Sequence, residues 1–494
     1  MNARKHSWIG ILFLVGAAIA LPLLFMTPGE KPKADDPWEK IPPHLPQTNH
    51  AALLPGPFED GPAVTRACLE CHEDAAFEVM STPHWTWESE PVAVEGHQGR
   101  YKLGKKNLIN NFCISVQSNW VGCTSCHAGY GWKDENFDFS KPDLVDCLVC
   151  HDHSGTYAKS KGGLPAEGVD LAAAAQSVGG PTRETCGGCH FKGGGGDAVK
   201  HGDLDTSLLN PPERVDVHMG KLGLICVDCH WTQKHEMKGR SISVSVDDRN
   251  QVSCSDCHLP KPHEDERINL HADAVACQTC HIPEVALRER TKVHWDWSKA
   301  GEDRENADPH EYLKIKGEFV MQANLEPEYT WFDGTASRYL MGDPIAESGP
   351  TVLNQPHGDI QDPSSKIWPF KIHRGKQIYD EVYKTLLVPQ TVGEGGYWDE
   401  FDWDQALRMG SAKTGLAYSG DYGFTETEMY WPLTHMVAPK EAATRTQCHW
   451  RTILDWKALR IRGRPDRLWG GWKRFGECQK VRWRTLTMHL QIRP

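Results

Sequence analysis

The sequence lacks several patterns by which large enzymes are usually recognised. It shows no strand–helix alternation of the kind that predicts an α/β fold and no heptad pattern typical of a coiled coil. Its mean hydropathy is low, −0.54, and its formal net charge is −12. An acidic chain argues against nucleic acid as a partner, because phosphate binding selects a basic stripe.

What the sequence does contain is a repeated motif, two cysteines separated by two residues and followed directly by a histidine. It occurs seven times and uses fourteen of the seventeen cysteines. The copies are Cys68, Cys71 and His72; Cys123, Cys126 and His127; Cys147, Cys150 and His151; Cys186, Cys189 and His190; Cys226, Cys229 and His230; Cys254, Cys257 and His258; and Cys277, Cys280 and His281. This spacing is typical of c-type haem attachment, in which the histidine becomes an axial iron ligand.

Two other interpretations of the cysteine pairs explain less. Structural zinc requires two pairs for each ion and no histidine directly after each second cysteine. A disulfide framework does not require that histidine either. The repetition therefore favours seven covalent haems c. Because such thioethers form outside the cytoplasm, it also predicts an exported, periplasmic protein.

The N-terminus agrees with export. Arg4, Lys5 and His6 precede an apolar run over residues 7–26, which is long enough to cross a bilayer. We expect residues 1–26 to be an uncleaved anchor in the inner membrane, with a cleaved signal as the alternative. We expect a linker at 27–62, a multihaem region at 63–285, an aromatic-rich lobe at 286–442 and a basic tail at 443–494.

The motif spacing bears on the fold class. Successive motifs begin 23 to 55 residues apart, which is too irregular for a solenoid. We therefore expect a multihaem cytochrome c, mainly α-helix and loop wrapped around closely packed haems, with little β-structure. Residues 286–442 contain no cysteine and many aromatic residues, and we expect them to form loops and helices that close over the haems.

A six-coordinate haem iron needs a second ligand on the side opposite the motif histidine. Eighteen of the 25 histidines lie outside the seven motifs. Those near motifs or in loops are our candidates for second ligands: His84, His201, His218, His235, His263, His271 and His435. Any one of them alone would be read as an ordinary surface histidine.

Six further stretches are distinctive: HWTW at 84–87, GKKNLINNFCISV at 104–116, CTSCHAGYGWK at 123–133, GGGGDAVKHGDLD at 193–205, ACQTCHIP at 276–283 and YWPLTHMVAPK at 430–440. In these stretches the chain resembles the octahaem c-type cytochromes of the tetrathionate reductase type. The resemblance implies a periplasmic oxidoreductase in which one haem, marked by a lysine in place of a histidine on its iron, is the active site. It implies Lys200 as that lysine, Lys133 as the second candidate, and the haem on Cys123 and Cys126 as the site.

The residues themselves give modest support to Lys200. A lysine binds iron only as the neutral amine, so its ordinary pKa of about 10.4 must be lowered by the cation and by burial. Four glycines precede Lys200 and would let the backbone pass close to a porphyrin. The alternative is a solvated lysine in a flexible loop. A phosphate loop is excluded because no Gly-Lys-Ser/Thr follows the glycines.

Cys113 is one of three cysteines outside the seven motifs and lies ten residues before Cys123. One interpretation is a buried small apolar residue. The other is a thiol in the substrate pocket, whose thiolate attacks a sulfur–sulfur bond and releases thiosulfate, as in thiol–disulfide exchange.

The C-terminal tail departs from the family pattern. An eighth motif is expected after residue 440, but Arg445 stands where its first cysteine would be, and only Cys448 and His449 remain. Residues 443–494 contain ten arginines and five tryptophans, a composition typical of translation in a shifted reading frame. We hypothesise either such a shift or a genuine basic tail, with the eighth haem held by Cys448 and His449 or missing.

Together these features predict a periplasmic reductase that passes electrons through bis-histidine haems to a lysine-ligated haem. The expected substrate is a small sulfur or nitrogen compound such as tetrathionate, nitrite or hydroxylamine. The expected donor is a quinol-linked protein or a small cytochrome, since an acidic body suits a basic redox partner. The alternatives are a pure electron-transfer cytochrome and an oxidase of reduced nitrogen.

Overall fold

The computed structural model describes residues 36–440 and 442. The expected anchor at 1–26 and the basic tail with Cys448 and His449 lie outside the described residues. Within the described residues no helix is both long and apolar enough to cross a membrane. The chain divides into two compact units, Met1–Pro42 with Ser253–Pro260, and Pro43–Val252 with Lys261–Pro494.

In the first unit the described residues form two short 3-10 helices, Pro37–Lys40 and Cys254–Asp256. Asp36 caps the first helix by accepting a hydrogen bond from the Trp38 backbone N–H at 3.1 Å. Ser253 caps the second helix, which carries the sixth cysteine pair. This unit therefore contains one complete haem motif.

The motif region of the second unit is built from short helices joined by loops. The α-helices are α1 (Gly61–Leu69), α2 (Ala75–Met80), α3 (Pro83–Thr86), α4 (Trp120–Cys123), α5 (Leu148–His151), α6 (Leu171–Gln176), α7 (Arg183–His190), α8 (Cys226–Cys229), α9 (Glu266–His271) and α10 (Cys277–His281). Single 3-10 turns lie at Thr124–Cys126, Pro142–Leu144, Lys161–Gly163 and Thr206–Leu208, and a π-helical turn at Val217–Lys221. A two-residue hairpin pairs β1 (Thr232–Gln233) with β2 (Glu236–Met237).

These helices are short but well capped. Asp60 accepts a hydrogen bond from the Ala63 N–H at 2.8 Å at the start of α1, where proline occupies the first turn. Thr182 and Thr185 form a reciprocal capping box at the start of α7. Capping of this kind satisfies backbone donors that so short a helix would otherwise leave unpaired.

The expectation of a mainly helical protein with little β-structure is wrong. Residues 291–432 contain a seven-stranded mixed sheet with the order β4-β5-β3-β8-β9-β7, and β6 pairs with β8 as well. The strands are β3 (Thr291–Asp296), β4 (Tyr312–Leu313), β5 (Gly317–Gln322), β6 (Glu328–Phe332), β7 (Thr351–Val352), β8 (Lys366–Asp380) and β9 (Tyr422–Pro432). A 3-10 turn at Trp297–Lys299 and helices α11 (Tyr397–Glu400) and α12 (Trp403–Thr414) complete this lobe.

The central strand β8 shows why the sheet was missed. Most of its fifteen residues are buried, including a run of seven from Ile367 to His373. A strand covered on both faces has no alternation of apolar and polar residues, which is the usual sequence signal. Pro369 and Gly375 within it also weaken a strand prediction.

The largest apolar cluster lies where the sheet meets α12. It includes Trp295, Phe319, Leu407 and Trp431, and it extends to Phe112 from the motif region. The residues that flank Cys113 are therefore part of the same core as the sheet. This contact brings the stretch before the second motif against β3 and β8.

Candidate functional site

The cysteine pairs lie on helical turns, which explains their spacing. Side chains three residues apart share one face of such a turn, so both thiols point the same way. In the first motif the His72 N–H donates to the Cys68 carbonyl at 2.9 Å, and in the third the His151 N–H donates to the Cys147 carbonyl at 3.1 Å. Each of these histidines thus continues the turn that carries its cysteines.

Five motif histidines face a second histidine across a gap of nearly constant width. The ring centroids are 6.4 Å apart for His72 and His50, 6.2 Å for His190 and His84, 6.4 Å for His151 and His235, 6.1 Å for His230 and His435, and 6.0 Å for His281 and His263. A metal lies about 2 Å from an imidazole nitrogen, so two imidazoles on opposite sides of one iron have centres roughly 6 Å apart. The five pairs therefore fit bis-histidine haem iron.

Hydrogen bonds to Nδ1 support the same arrangement. His151 donates from Nδ1 to the Gly179 carbonyl at 2.7 Å, and His230 to the Lys238 carbonyl at 2.8 Å. On the facing side, Nδ1 of His235 lies 2.8 Å from a Glu78 carboxylate oxygen. A bond that holds the proton on Nδ1 leaves the Nε2 lone pair available to a metal.

Four of the facing histidines, His84, His235, His263 and His435, were candidates from the sequence. His50 was missed because it lies in the expected linker, 22 residues before its partner His72. No residue pattern around His50 distinguishes it from an ordinary surface histidine. The other three candidates, His201, His218 and His271, lie outside these five pairs. The ring centroid of His201 is 4.8 Å from that of Trp431.

The second motif is built differently from the others. The His127 backbone leaves the helical turn with an extended conformation, φ −74° and ψ 140°, and its N–H donates to the Thr124 carbonyl. Its Nε2 donates to the Trp85 carbonyl at 2.6 Å, and its ring packs 4.7 Å from that of Trp132. Burial lowers the pKa of His127 to about 3. In this position Nε2 carries a proton and has no lone pair for iron.

Lys200 lies near Cys126 of this motif and Cys189 of the fourth motif. Its pKa is lowered to about 8, first by burial and then by the charge of Lys105, while the thiols of Cys126 and Cys189 act in the opposite direction. A lowered pKa makes the neutral amine accessible. Lys133, the second candidate from the resemblance, is exposed.

The glycines before Lys200 make room for its side chain. A Cβ on Gly193 would lie 2.6 Å from the Lys200 Nζ, and one on Gly194 would lie 2.7 Å from the Lys200 Cγ. A side chain at either position would displace Lys200 from its present conformation, and the positive φ of Gly194, 80°, also favours glycine there. The tetraglycine therefore serves to fold the lysine side chain back over its own loop.

Two residues of the sheet lobe hold the backbone of this loop. Lys371 of β8 donates from Nζ to the carbonyls of Val199 at 3.0 Å and Lys200 at 2.9 Å. Thr291 of β3 donates to the Ala198 carbonyl at 2.7 Å. The position of Lys200 is thus set by β3 and β8, which no local sequence pattern predicts.

Cys113 is partly buried against the large apolar cluster. Its backbone N–H donates to the Asn110 side-chain oxygen at 2.8 Å. Burial raises the pKa of its thiol, and the charges of Lys316, Lys292 and Lys105 oppose that rise. Cys113 also acts electrostatically on Cys123, so it lies near the second motif.

Cysteine side chains of different motifs lie close together. Cys68 lies near Cys147. Cys126 lies near Cys189, and Cys186 lies near Cys226. The first motif therefore adjoins the third, and the fourth adjoins both the second and the fifth.

Comparison with known proteins gives three matches. The family described as bacterial cytochrome c matches residues 292–452. An uncharacterized protein of Archaeoglobus fulgidus is 25% identical over 234 residues, which are 36% of this chain and 76% of that protein.

The third match is a crystal structure of an octahaem cytochrome c from Shewanella oneidensis. It is 46% identical to this chain, with a TM-score of 0.79, over 85% of this chain and 98% of that one. This likeness spans most of both chains, and it makes haem c the cofactor. The chain belongs to the octahaem c-type cytochrome family.

Proposed function

We propose that the protein is a periplasmic multihaem reductase in which the haem on Cys123 and Cys126 is the catalytic centre and Lys200 its iron ligand. One observation carries the proposal. Five motif histidines face a second histidine, whereas the second motif's histidine is hydrogen-bonded to the Trp85 carbonyl and a desolvated lysine lies near its Cys126. A site that lacks a histidine pair is the one at which a small molecule can reach iron.

Haem c supplies one-electron transfer and, where a coordination position is open, a metal that binds the substrate. The chain supplies the ligands and the surroundings. Lys200 would bind as the neutral amine, while Lys371 and Thr291 hold its loop. Trp85, Trp87 and Trp132 pack around the His127 ring and would restrain it while Nε2 donates to the Trp85 carbonyl.

The proximity of cysteines from different motifs supports a route for electrons. The first motif adjoins the third, Cys150 of the third motif acts electrostatically on Cys186 of the fourth, and the fourth adjoins the second. Electrons that enter at the first or third motif would reach the second through the fourth. The fifth motif would exchange electrons with the fourth, which it adjoins.

The substrate we favour is a sulfur oxyanion with a sulfur–sulfur bond, such as tetrathionate, with nitrite and hydroxylamine as further substrates. The Cys113 thiolate would attack one central sulfur of tetrathionate, form a new sulfur–sulfur bond and release one thiosulfate. Two electrons from the haems would then cleave that new bond, release the second thiosulfate and restore the thiolate. The sum is one tetrathionate and two electrons giving two thiosulfates.

Addition of cyanide or hydroxylamine to the oxidised holoprotein tests the proposal. Electron paramagnetic resonance is expected to show one iron that changes its signal, against a background of bis-imidazole irons that do not. Replacement of Lys200 by His should change that one signal, whereas replacement of the exposed Lys133 by His should not. If every iron resists both ligands, the protein is an electron-transfer cytochrome instead.

The location and the donor belong to the same proposal. Covalent haem attachment and the likeness to a bacterial octahaem cytochrome support a periplasmic protein that accepts electrons from a quinol-linked protein or a small cytochrome. Reduction by a candidate donor, followed at the haem bands in a stopped-flow instrument, would test the partner directly. A donor that reduces the haems more slowly than the protein turns over would be excluded.

A further inference from the structure

The fifth motif differs from the first and the seventh in having a carboxylate beside its facing histidine. Nδ1 of His435 lies 3.3 Å from an Asp203 carboxylate oxygen, and its ring is stacked with that of His230 at 23° between the planes. By contrast, the Nδ1 atoms of His50 and His263 are buried and have no hydrogen-bond partner within the described residues. The facing histidines thus have different surroundings, although the gaps that they span are alike.

The carboxylate of Asp203 is held firmly in this position. Its Oδ2 accepts hydrogen bonds from the backbone N–H groups of Thr434 at 2.7 Å and His435 at 2.9 Å, and its side chain is only 2% exposed. These donors favour the ionised form of the carboxyl group. The Thr434 hydroxyl also lies 3.1 Å from Nδ1 of His435. Whichever oxygen accepts the imidazole proton, a buried negative charge lies beside the ring.

This carboxylate comes from the same loop as Lys200. Asp203 follows Lys200 by three residues, directly after the backbone that Lys371 and Thr291 hold. The charge of Asp203 also acts on the buried ammonium group of Lys371. One loop therefore supplies both the proposed iron ligand of the second motif and the carboxylate partner of the fifth motif's facing histidine.

The third motif has a weaker form of the same arrangement. Nδ1 of His235 lies 2.8 Å from a Glu78 carboxylate oxygen, but the side chain of Glu78 is 25% exposed and that of His235 is 36% exposed. Water screens a charge at such a position, whereas the low dielectric around Asp203 screens its charge much less. Asp203 should therefore act on its histidine more strongly than Glu78 does.

A carboxylate at Nδ1 changes the properties of an imidazole ligand. By accepting the Nδ1 proton it makes the ring a stronger donor to a metal. A stronger donor stabilises ferric iron over ferrous iron, because ferric iron carries one more positive charge, and the buried carboxylate acts on the iron in the same direction. Both effects lower the reduction potential of a haem, which depends on its ligands, on hydrogen bonds and on burial.

We propose that Asp203 is a positioning residue for His435 and lowers the reduction potential of the haem on Cys226 and Cys229 below the potentials of the haems on the first and seventh motifs. This haem would be reduced after those two and would readily pass its electron to the haem of the fourth motif, which it adjoins. The inference needs only haem c and the pair of His230 and His435. It does not depend on which iron binds a substrate.

A potentiometric titration of the holoprotein, followed at the haem absorption bands, tests this inference. Asp203→Asn keeps the size of the side chain and an acceptor oxygen but removes the charge, so one reduction step should shift to a more positive potential. Asp205→Asn is the matched control, because Asp205 is a buried carboxylate of the same loop that accepts from the Ser207 N–H at 2.8 Å. It should shift no step. Glu78→Gln should shift one step in the same direction, by a smaller amount.

Electron paramagnetic resonance of the oxidised holoprotein gives a second readout, at the ligand itself. The g values of a low-spin ferric haem depend on the donor strength of its axial ligands. Asp203→Asn should therefore move the signal of one bis-imidazole iron, and Asp205→Asn should move none. A merely structural role of Asp203 would lower thermal stability without changing a potential or a g value, and that result would overturn the inference.

The outcome does not rest on the variants alone. If Asp203→Asn fails to assemble, stepwise reduction of the wild-type protein decides, because paramagnetic nuclear magnetic resonance follows each haem separately. The haem on Cys226 and Cys229 should be reduced after the haems of the first and seventh motifs. The reverse order, or a shift in Asp205→Asn as large as that in Asp203→Asn, would contradict the role assigned to Asp203.

Discussion

The second and fourth motifs have the same three-residue signature and adjacent thiols, but they lie in opposite surroundings. In the fourth, His190 ends a capped helix and faces His84 across 6.2 Å. In the second, the chain leaves the turn at His127, whose Nε2 donates to the carbonyl of Trp85, the residue next to His84. The comparison teaches that the same signature leads to two different histidine positions, and that the backbone after the second cysteine decides between them.

The largest expected effect concerns the support of the second motif. Lys159 donates from Nζ to the His127 and Gly129 carbonyls and forms a 2.8 Å ion pair with Asp146, whose side chain is fully buried. Asp146 also accepts from Tyr130 and Tyr157. Asp146→Asn leaves a buried ammonium group without its counter-charge and should cost about 3–5 kcal/mol of unfolding free energy.

Thermal unfolding of the holoprotein measures this cost. Asp143→Asn is the matched control, because Asp143 pairs at the surface with Arg66, whose side chain is 56% exposed, and such pairs contribute at most about 1 kcal/mol. Equal losses in the two variants would show that the buried pair does not support the second motif.

The next largest effect is expected when Lys200, the proposed ligand at the second motif, is replaced, because the fourth motif does not depend on it. Lys200→Leu should lower the turnover of every substrate roughly 100-fold or more, because even a partner of a metal ligand is worth 10- to 100-fold. The bis-imidazole signals of the fourth motif and its neighbours should persist in the same protein. Lys133→Leu, at an exposed position, should leave turnover unchanged. Full activity of Lys200→Leu would show that Lys200 is not needed at the second motif, and the contrast with the fourth motif would then not involve a lysine ligand.

Cys113 tests whether the second motif's surroundings select sulfur chemistry. Cys113→Ser should depress tetrathionate reduction at least about tenfold more than nitrite reduction, because serine is a poor nucleophile toward sulfur. The ratio of kcat/KM for the two substrates is the measurement. Equal losses would contradict a nucleophilic role and leave Cys113 as a packing residue.

The sequence predicted the chemistry better than the architecture. Covalent attachment needs specific residues at fixed spacing, so all seven motifs were visible, and four facing histidines were among the candidates. The sheet was not visible, because β8 is buried on both faces and has no alternation. The orientation of His127, the role of His50 and the clamp of Lys371 on the Lys200 loop depend on contacts between residues far apart in the chain.

The smallest expected effect concerns His97, a histidine outside the motifs and the five facing pairs, which is paired with a carboxylate. His97 Nε2 donates a hydrogen bond to the Asp343 carboxylate at 2.8 Å, which raises the pKa of His97 above its ordinary value. Its stabilisation is therefore fully present below about pH 6.5 and is lost as the pH rises through the raised pKa. His97→Gln should remove a pH dependence worth less than about 1 kcal/mol from the unfolding free energy. An unchanged pH profile would show that this pair contributes nothing.

Strand β8 accepts hydrogen bonds from three segments that are far apart in the sequence. Its Ile367 carbonyl accepts from the Ala276 N–H beside the seventh motif, its Pro369 carbonyl from the Leu433 N–H near His435, and its His373 carbonyl from Asn111 near Cys113. A slip by a single residue along this strand would send each inward side chain to the opposite face. Insertion of one amino acid within β8 would thus misalign several metal centres at once, whereas the same insertion in the exposed bend at 346–350 would disturb none.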